Sequence, residues 1–391
     1  MENWITVRAA DFIEFNPRLS IKKGETATKI AMDKLQPFTK KIPATEQAVF
    51  AGGSKFCNGD TIMARITPCL ENGKTAFIDI LDDGEIGFGS TEFIVMRAKP
   101  DVSDPQFVYY LATSPTFRNV AIKSMVGSSG RQRVQQGVLD DLELIVPPLE
   151  EQRRIGRFLA ALDQKISLNN EINDNLQQQA ATIFRQWFVA NPESKNWPIA
   201  TLDSLTSLVS RGIAPKYTDD STQIVLNQKC IRDHYIDISL GRQHTPKTIN
   251  EKWLQYGDIL INSTGEGTLG RAAQVWFVPE NITVDSHVTI VRPKNQLLLY
   301  YIGFWGISHE REIEALHTGS TGQTELPRER VKAMELRQPD NDTLARFNSI
   351  IKPIVSLIIA NQQENTRLAS IRDTLLPKLM SGEIDVTGIQ I

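Results

Sequence analysis

Cysteine is scarce in this chain of 391 residues: Cys57, Cys69 and Cys230 are an odd number, widely spaced, with no Cys-x-x-Cys pair. Neither a disulfide framework nor a zinc site follows from them. Surplus positive charge is missing as well. Lys and Arg number 43 against 46 Asp and Glu, a formal net charge of −3, which excludes a basic protein that coats nucleic acid unaided. If nucleic acid is the ligand, the cations are clustered or a partner supplies most of the phosphate contacts. Long apolar runs are lacking too. The richest stretch, Ile350 to Ala360, is interrupted by Lys352 and Pro353 and is too short to span a bilayer. Met1 to Ala10 has neither the basic flank nor the apolar stretch of a signal peptide, so a cytoplasmic protein is expected. The five histidines (His234, His244, His287, His309, His317) all fall in the second half.

That last asymmetry matters because the chain is otherwise written twice. A shift of 192 positions lays Gly127, Ser128 and Gly130 on Gly319, Ser320 and Gly322, and Glu143-Leu144 on Glu335-Leu336. The same shift, without a gap, lays Pro147 on Pro339, Asn169 on Asn361, Asn173 on Asn365 and Leu176 on Leu368. The period is too long for a solenoid unit, so this is a duplicated domain followed by a duplicated helix. Catalysis duplicated with the fold would place a histidine in both halves, and the first half has none.

The first domain mixes short Val/Ile/Phe runs with Gly/Pro/Asn turns and reads as α+β. Strands are expected at Thr61 to Ile66 and Thr75 to Ile80 around a turn at Asn72-Gly73, and at Glu92 to Arg97. One helix is expected from Pro105 to Val120 despite Pro115. Pro147-Pro148 then punctuates the chain, and Leu149-Glu-Glu-Gln152 opens a helix with acids in its first turn. From there Ile155, Leu159, Leu162, Ile166, Asn169, Asn173, Leu176, Ala180, Ile183 and Trp187 are spaced 4-3-4-3, a coiled-coil seam. Its second copy runs Phe347, Ile351, Ile354, Ile358, Asn361, Asn365, Leu368, Arg372, Leu375 and Leu379.

A buried Asn is tolerated best against another polar group, so the two helices should pack with their Asn pairs facing. The linker at 189–196, roughly eight residues, reaches only about 27 Å, whereas each helix is about 50 Å long. Antiparallel packing suits that linker, and pairs Asn169 with Asn365 and Asn173 with Asn361. The expected organisation is an α+β domain at 1–148, a helix at 149–190, a sibling domain at 191–338 and a second helix at 339–391, the domains at opposite ends of a two-helix rod.

Several motifs resolve to bland readings. Gly265-Glu-Gly-Thr-Leu-Gly270 spells a dinucleotide fingerprint, but Arg271 to Val278 reads as a strand and not the required helix, so a hairpin loop is expected. Gly73-Lys74-Thr75 lacks the glycine a phosphate loop needs five positions earlier, where Pro68 stands. No Asn/Asp-Pro-Pro-Tyr/Phe word of an adenine methyltransferase is present, nor a nuclease carboxylate–lysine cluster or metal-binding His pair. More suggestive are Met125 to Val134 (MVGSSGRQRV) and His317 to Leu326 (HTGSTGQTEL), at the same place in both copies. Such loops offer N–H groups to phosphates, and Arg and Gln to base edges.

At these residues the chain resembles the specificity subunits of type I restriction–modification systems. The matching words are Asp60 to Ala76 (DTIMARITPCLENGKTA), Gly89-Ser-Thr-Glu-Phe-Ile94, Pro147 to Ile155 (PPLEEQRRI), Leu162 to Ile166 (LDQKI) and Leu375 to Ile384 (LLPKLMSGEI). The resemblance implies two target recognition domains, each reading half of a split, asymmetric sequence in double-stranded DNA, and helices that set the spacer. It also implies two methyltransferase subunits docked on those helices, with motor–nuclease subunits added. S-adenosylmethionine, ATP and magnesium would belong to those partners, leaving this chain non-catalytic and without a cofactor. Two departures stand out: the second domain lacks the TPCLENGK wording, and Pro353 sits where the first helix has Ala161.

By position in the repeat, the expected DNA contacts are Arg65, Thr67, Lys74, Ser128, Ser129, Arg131, Gln132 and Arg133 in the first domain. Their counterparts are Asn262, Glu266, Thr268, Arg271, Ser320, Thr321, Gln323 and Thr324. Ser and Thr would position phosphates while Arg, Gln and Asn read bases. A coiled-coil scaffold that binds protein only, without base-specific contacts, remains the alternative.

Overall fold

The computed structural model describes residues 3–384 except 129, 266 and 320–323. Two compact units divide the chain: Met1–Asn170 with Gln363–Ile391, and Glu171–Gln362. Each takes one α+β domain and a share of both long helices.

In the first unit a four-stranded antiparallel sheet has the order Ile13–Phe15, Phe93–Ala98, Thr61–Ala64, Thr75–Phe77. Its strands are apolar on both faces because each face has its own core. Along Phe93–Ala98, Phe93 and Val95 point into a cluster with Ile30, Phe56 and Ile62, while Ile94 and Met96 join Phe107, Tyr110 and Phe117. A second sheet, ordered Glu46–Val49, Thr26–Ile30, Gly87–Gly89, Lys55–Phe56, closes one side. Helices close the other. The single helix expected from Pro105 is two, Pro105–Thr113 and Pro115–Lys123. Ser114 ends the first and caps the second, its Oγ accepting from the Phe117 N–H at 3.4 Å. Proline fits the first turn of each because no N–H is needed there. A short pair, Ile5–Arg8 with Glu143–Val146, brings the domain's two ends together.

The second unit repeats this plan. Thr206–Arg211, Val288–Pro293, Ile259–Asn262 and Ala272–Gln274 form the same four-stranded order. Helices Leu299–Ser308 and Glu310–Ala315 cover it, and Ile199–Thr201 with Glu335–Arg337 joins the ends. The Gly265–Gly270 segment lies in the hairpin between the strands Ile259–Asn262 and Ala272–Gln274, as its flanks require. Both sheets are anchored by the same buried ion pair. Arg97 reaches both Asp60 oxygens at 2.7 Å, and Arg292 does the same with Asp258. The preceding Gly59 and Gly257 share φ values of 91° and 92°, a left-handed turn that favours glycine.

The long helices are Leu149–Phe184, which ends in a wider turn at Arg185–Val189, and Asn341–Met380. Gln152 fastens the first to its domain: Nε2 donates to the carbonyls of Pro147 and Val102, and Oε1 accepts from the Asp104 N–H. Pro353 does not break the second helix; both it and Ser349, whose carbonyl it leaves without an N–H partner, lie on the exposed face. By length and composition Asn341–Met380 is apolar enough to cross a membrane. Its Phe347, Ile351, Val355 and Ile358 are instead fully buried in the second unit's core.

The helices run antiparallel in both units. In the first, Asp163 meets Arg372 and Asn169 meets Asn365, numbers rising on one helix as they fall on the other. In the second, Asn173 meets Asn361 and Phe184 meets Phe347. Asn169 Nδ2 donates to Asn365 Oδ1 at 2.9 Å and to Glu364 Oε2 at 2.7 Å; Asn361 Nδ2 donates to Asn173 Oδ1 at 2.8 Å. Each amide thus finds a polar partner within the seam.

Candidate nucleic-acid interface

The two Gly/Ser loops are hairpins, pinned alike. In the first unit Val126 bridges to Arg133, and Arg133 bridges to Ile66 beyond the sheet strand Thr61–Ala64. In the second, Thr318 bridges to Glu325, and Glu325 to Thr264 beyond Ile259–Asn262. Glycine opens both turns, with φ 137° at Gly127 and 103° at Gly319. A Cβ on Gly127 would lie 2.9 Å from the Arg131 carbonyl oxygen, so a side chain there would spread the turn.

On the first hairpin Ser128 and Arg131 are exposed, Gln132 is half-buried, and the Ser128 carbonyl accepts from the Arg131 N–H at 3.0 Å. Arg133 is exposed and forks onto Glu92, with Nε 3.0 and 2.9 Å from the two carboxylate oxygens and Nη2 at 2.6 Å. These bonds hold the Glu92 carboxyl below its ordinary pKa. Thr67 sits at the hairpin base, both its N–H and Oγ1 donating to the Gln132 carbonyl. Arg65 is half-buried, with Nη2 donating to the Val134 carbonyl at 3.3 Å. Lys74 is drawn inward: half-buried, it gives Nζ to the Met32 carbonyl at 2.9 Å, so it supports the scaffold and does not stand free for phosphate.

In the second domain Asn262 requires the same correction. It is fully buried and donates to the Gln228 carbonyl at 3.3 Å, behind the surface it was expected to line. Thr268 and Arg271 both close the Gly265–Gly270 turn, Thr268 Oγ1 on the Thr264 and Gly265 carbonyls and Arg271 Nη2 on Gly267 at 2.8 Å. Thr324 is half-buried on the second hairpin. Ser129, Glu266, Ser320, Thr321 and Gln323 lie outside the described residues.

Four surface residues escaped the sequence reading. Glu92 holds Arg133. Glu325 stands where the 192-residue shift puts Arg133's counterpart, and Arg211 pairs with it. His287 turns its Nδ1 to Thr264 Oγ1 at 2.9 Å. The shift already aligned Arg133 with Glu325, so that position was legible; Arg211 comes from a distant strand and carried no local signal.

Comparison with known proteins gives matches along the chain. The family described as a type I restriction modification DNA specificity domain matches residues 1–178, the first domain and most of the first long helix. The EcoAI type I restriction enzyme specificity subunit of Escherichia coli is 30% identical over 188 residues, covering 46% of this chain and 30% of that protein. The chain therefore spans under a third of that relative's length. The MjaIX type I restriction enzyme specificity subunit of Methanocaldococcus jannaschii is 25% identical over 311 residues, 72% of this chain and 69% of the relative. In fold, the chain is similar to the crystal structure of a type I restriction–modification system S subunit from M. genitalium, with a TM-score of 0.57 and 14% identity over 96% of each chain. The family match thus covers residues 1–178, just under half of the chain, and similarity to type I restriction enzyme specificity subunits extends along most of it.

Proposed function

We propose that this chain is the non-catalytic DNA-specificity subunit of a type I restriction–modification complex, each recognition domain reading one half of a bipartite, asymmetric target. The observation that carries this reading is the paired hairpin: one scaffold, pinned by the same bridges in both domains, carries unlike side chains at equivalent positions. A protein-only scaffold gives no reason for one framework to vary at its polar tips. Sequence is read by base contacts, while phosphate contacts fix register, and the exposed Ser128, Arg131 and Arg133 supply both kinds.

The helix pair sets the spacing between the half-sites and docks two methyltransferase subunits, to which motor–nuclease subunits add. S-adenosylmethionine, ATP and magnesium act on those partners. A net charge of −3 supports a shared grip on DNA, because a protein neutralising many phosphates alone carries an excess of cations. The complex works in the cytoplasm, where its duplex substrate lies. Mapping methylated adenines genome-wide in cells with and without this chain tests the reading. A two-part motif methylated only when the chain is present is expected; methylation independent of the chain would leave the scaffold alternative standing.

A further inference from the structure

The hairpin stems differ in one telling respect. Arg133 and Glu325 occupy the same position, each bridged to the opposite stem residue and to the segment after the sheet strand. The neighbouring turns are equivalent as well: Ser90 Oγ accepts from the Glu92 N–H at 3.1 Å, and Asp285 Oδ1 accepts from the His287 N–H at 2.9 Å. Glu92 therefore corresponds to His287. With Glu325 in place of Arg133, a carboxylate at 287 would repel it; histidine stands there instead and bonds Thr264. A new holder is recruited from another strand. Arg211 pairs with Glu325 through one Nη and donates the other to the Leu326 carbonyl at 2.8 Å.

In both units the outer member of the ion pair is the stem residue. Arg133 is 46% exposed against 24% for Glu92, and Glu325 is 57% exposed against 26% for Arg211. The inner partner orients; the outer one is presented to solvent. A carboxylate presented to a duplex suffers phosphate repulsion unless it accepts from a base amino group, whereas a guanidinium matches the two acceptors of guanine.

Building on the DNA-reading function, we infer that position 133/325 is a base-reading position in each domain, and that its sign is reversed between them. Arg133, steadied by Glu92, reads the N7/O6 edge of a guanine in one half-site. Glu325, steadied by Arg211, accepts from the amino group of a cytosine in the other. The two domains thus ask chemically opposite questions from one structural position.

The test is a genome-wide map of methylated adenines in cells whose only type I system contains this chain, as wild type or as Arg133→Ala, Arg133→Gln, Glu325→Ala or Glu325→Gln. Arg133→Ala should relax one G·C position in one half-site by about ten-fold or more and leave the other half unchanged. Glu325→Ala should do the converse. Each Gln variant should move its position toward A·T, since Gln pairs with adenine, and this shift also reports on a position whose Ala variant folds too poorly to methylate. A wild-type motif kept by the Gln variants, or both halves weakened equally, overturns the assignment. A wild-type map without a two-part motif would instead remove the DNA-reading function itself, which separates the two failures.

Discussion

Arg292 touches both oxygens of Asp258, a carboxylate with essentially no exposure. Burial outweighs that partner and lifts the Asp258 carboxyl above its ordinary pKa. An acid whose folded value is raised costs stability once it is ionised: the cost grows as pH climbs through the raised value and vanishes below the unfolded one. Removing Arg292 takes away the one guanidinium offsetting the burial. Arg292→Met should therefore lose about 3–5 kcal/mol near neutral pH, read by denaturant unfolding. The deficit should shrink as the pH is lowered toward the acid range, because Asp258 then takes up a proton. A deficit that widened on acidification would contradict the burial argument. The same pair in the first domain, Asp60 with Arg97, shows that this anchor belongs to the framework.

Among the elements, the two long helices were the most legible from sequence, because a strict 4-3 spacing survives whatever the surrounding domains do. The sheet strands were legible to within a few residues, since short apolar runs between Gly, Pro and Asn turns mark strands buried on both faces. Ser114 was not: a capping serine inside an apolar run looks like any helix residue until the chain turns there. Lys74 and Asn262 were misplaced for a related reason, since polar residues beside a loop face inward when a carbonyl is waiting, and spacing cannot reveal that carbonyl. The helix seam itself yields two expectations. Replacing Asn173 and Asn361 together by Leu should raise the thermal midpoint, because an apolar pair fits the seam better than a hydrogen-bonded one. Arg372→Ala should lower stability by about 3 kcal/mol by stranding Asp163, which also accepts from the Tyr110 hydroxyl at 2.6 Å. Adding Asp163→Val should recover most of that loss, short of about 1 kcal/mol for the orphaned hydroxyl. Additive losses in the double variant would refute the coupling.

For the molecule as a whole, the spacer is the property to test. Removing one heptad from each helix, opposite one another, shortens the antiparallel pair by about 10 Å, or about three base pairs of duplex. The methylated motif should keep both half-sites and lose about three bases between them. An unchanged gap would mean that something other than helix length sets it.

The repeat is broken at one layer of the seam. Asp163 and Arg372 pair in the first unit, yet their counterparts under the 192-residue shift are Val355 and Ala180, both fully buried in the second. Two copies of the first helix laid together would set Asp163 against alanine, and two copies of the second would set Arg372 against valine. Only unlike helices satisfy both charges. Duplication made twins, and a single acid–base couple has since taught each to refuse its own likeness.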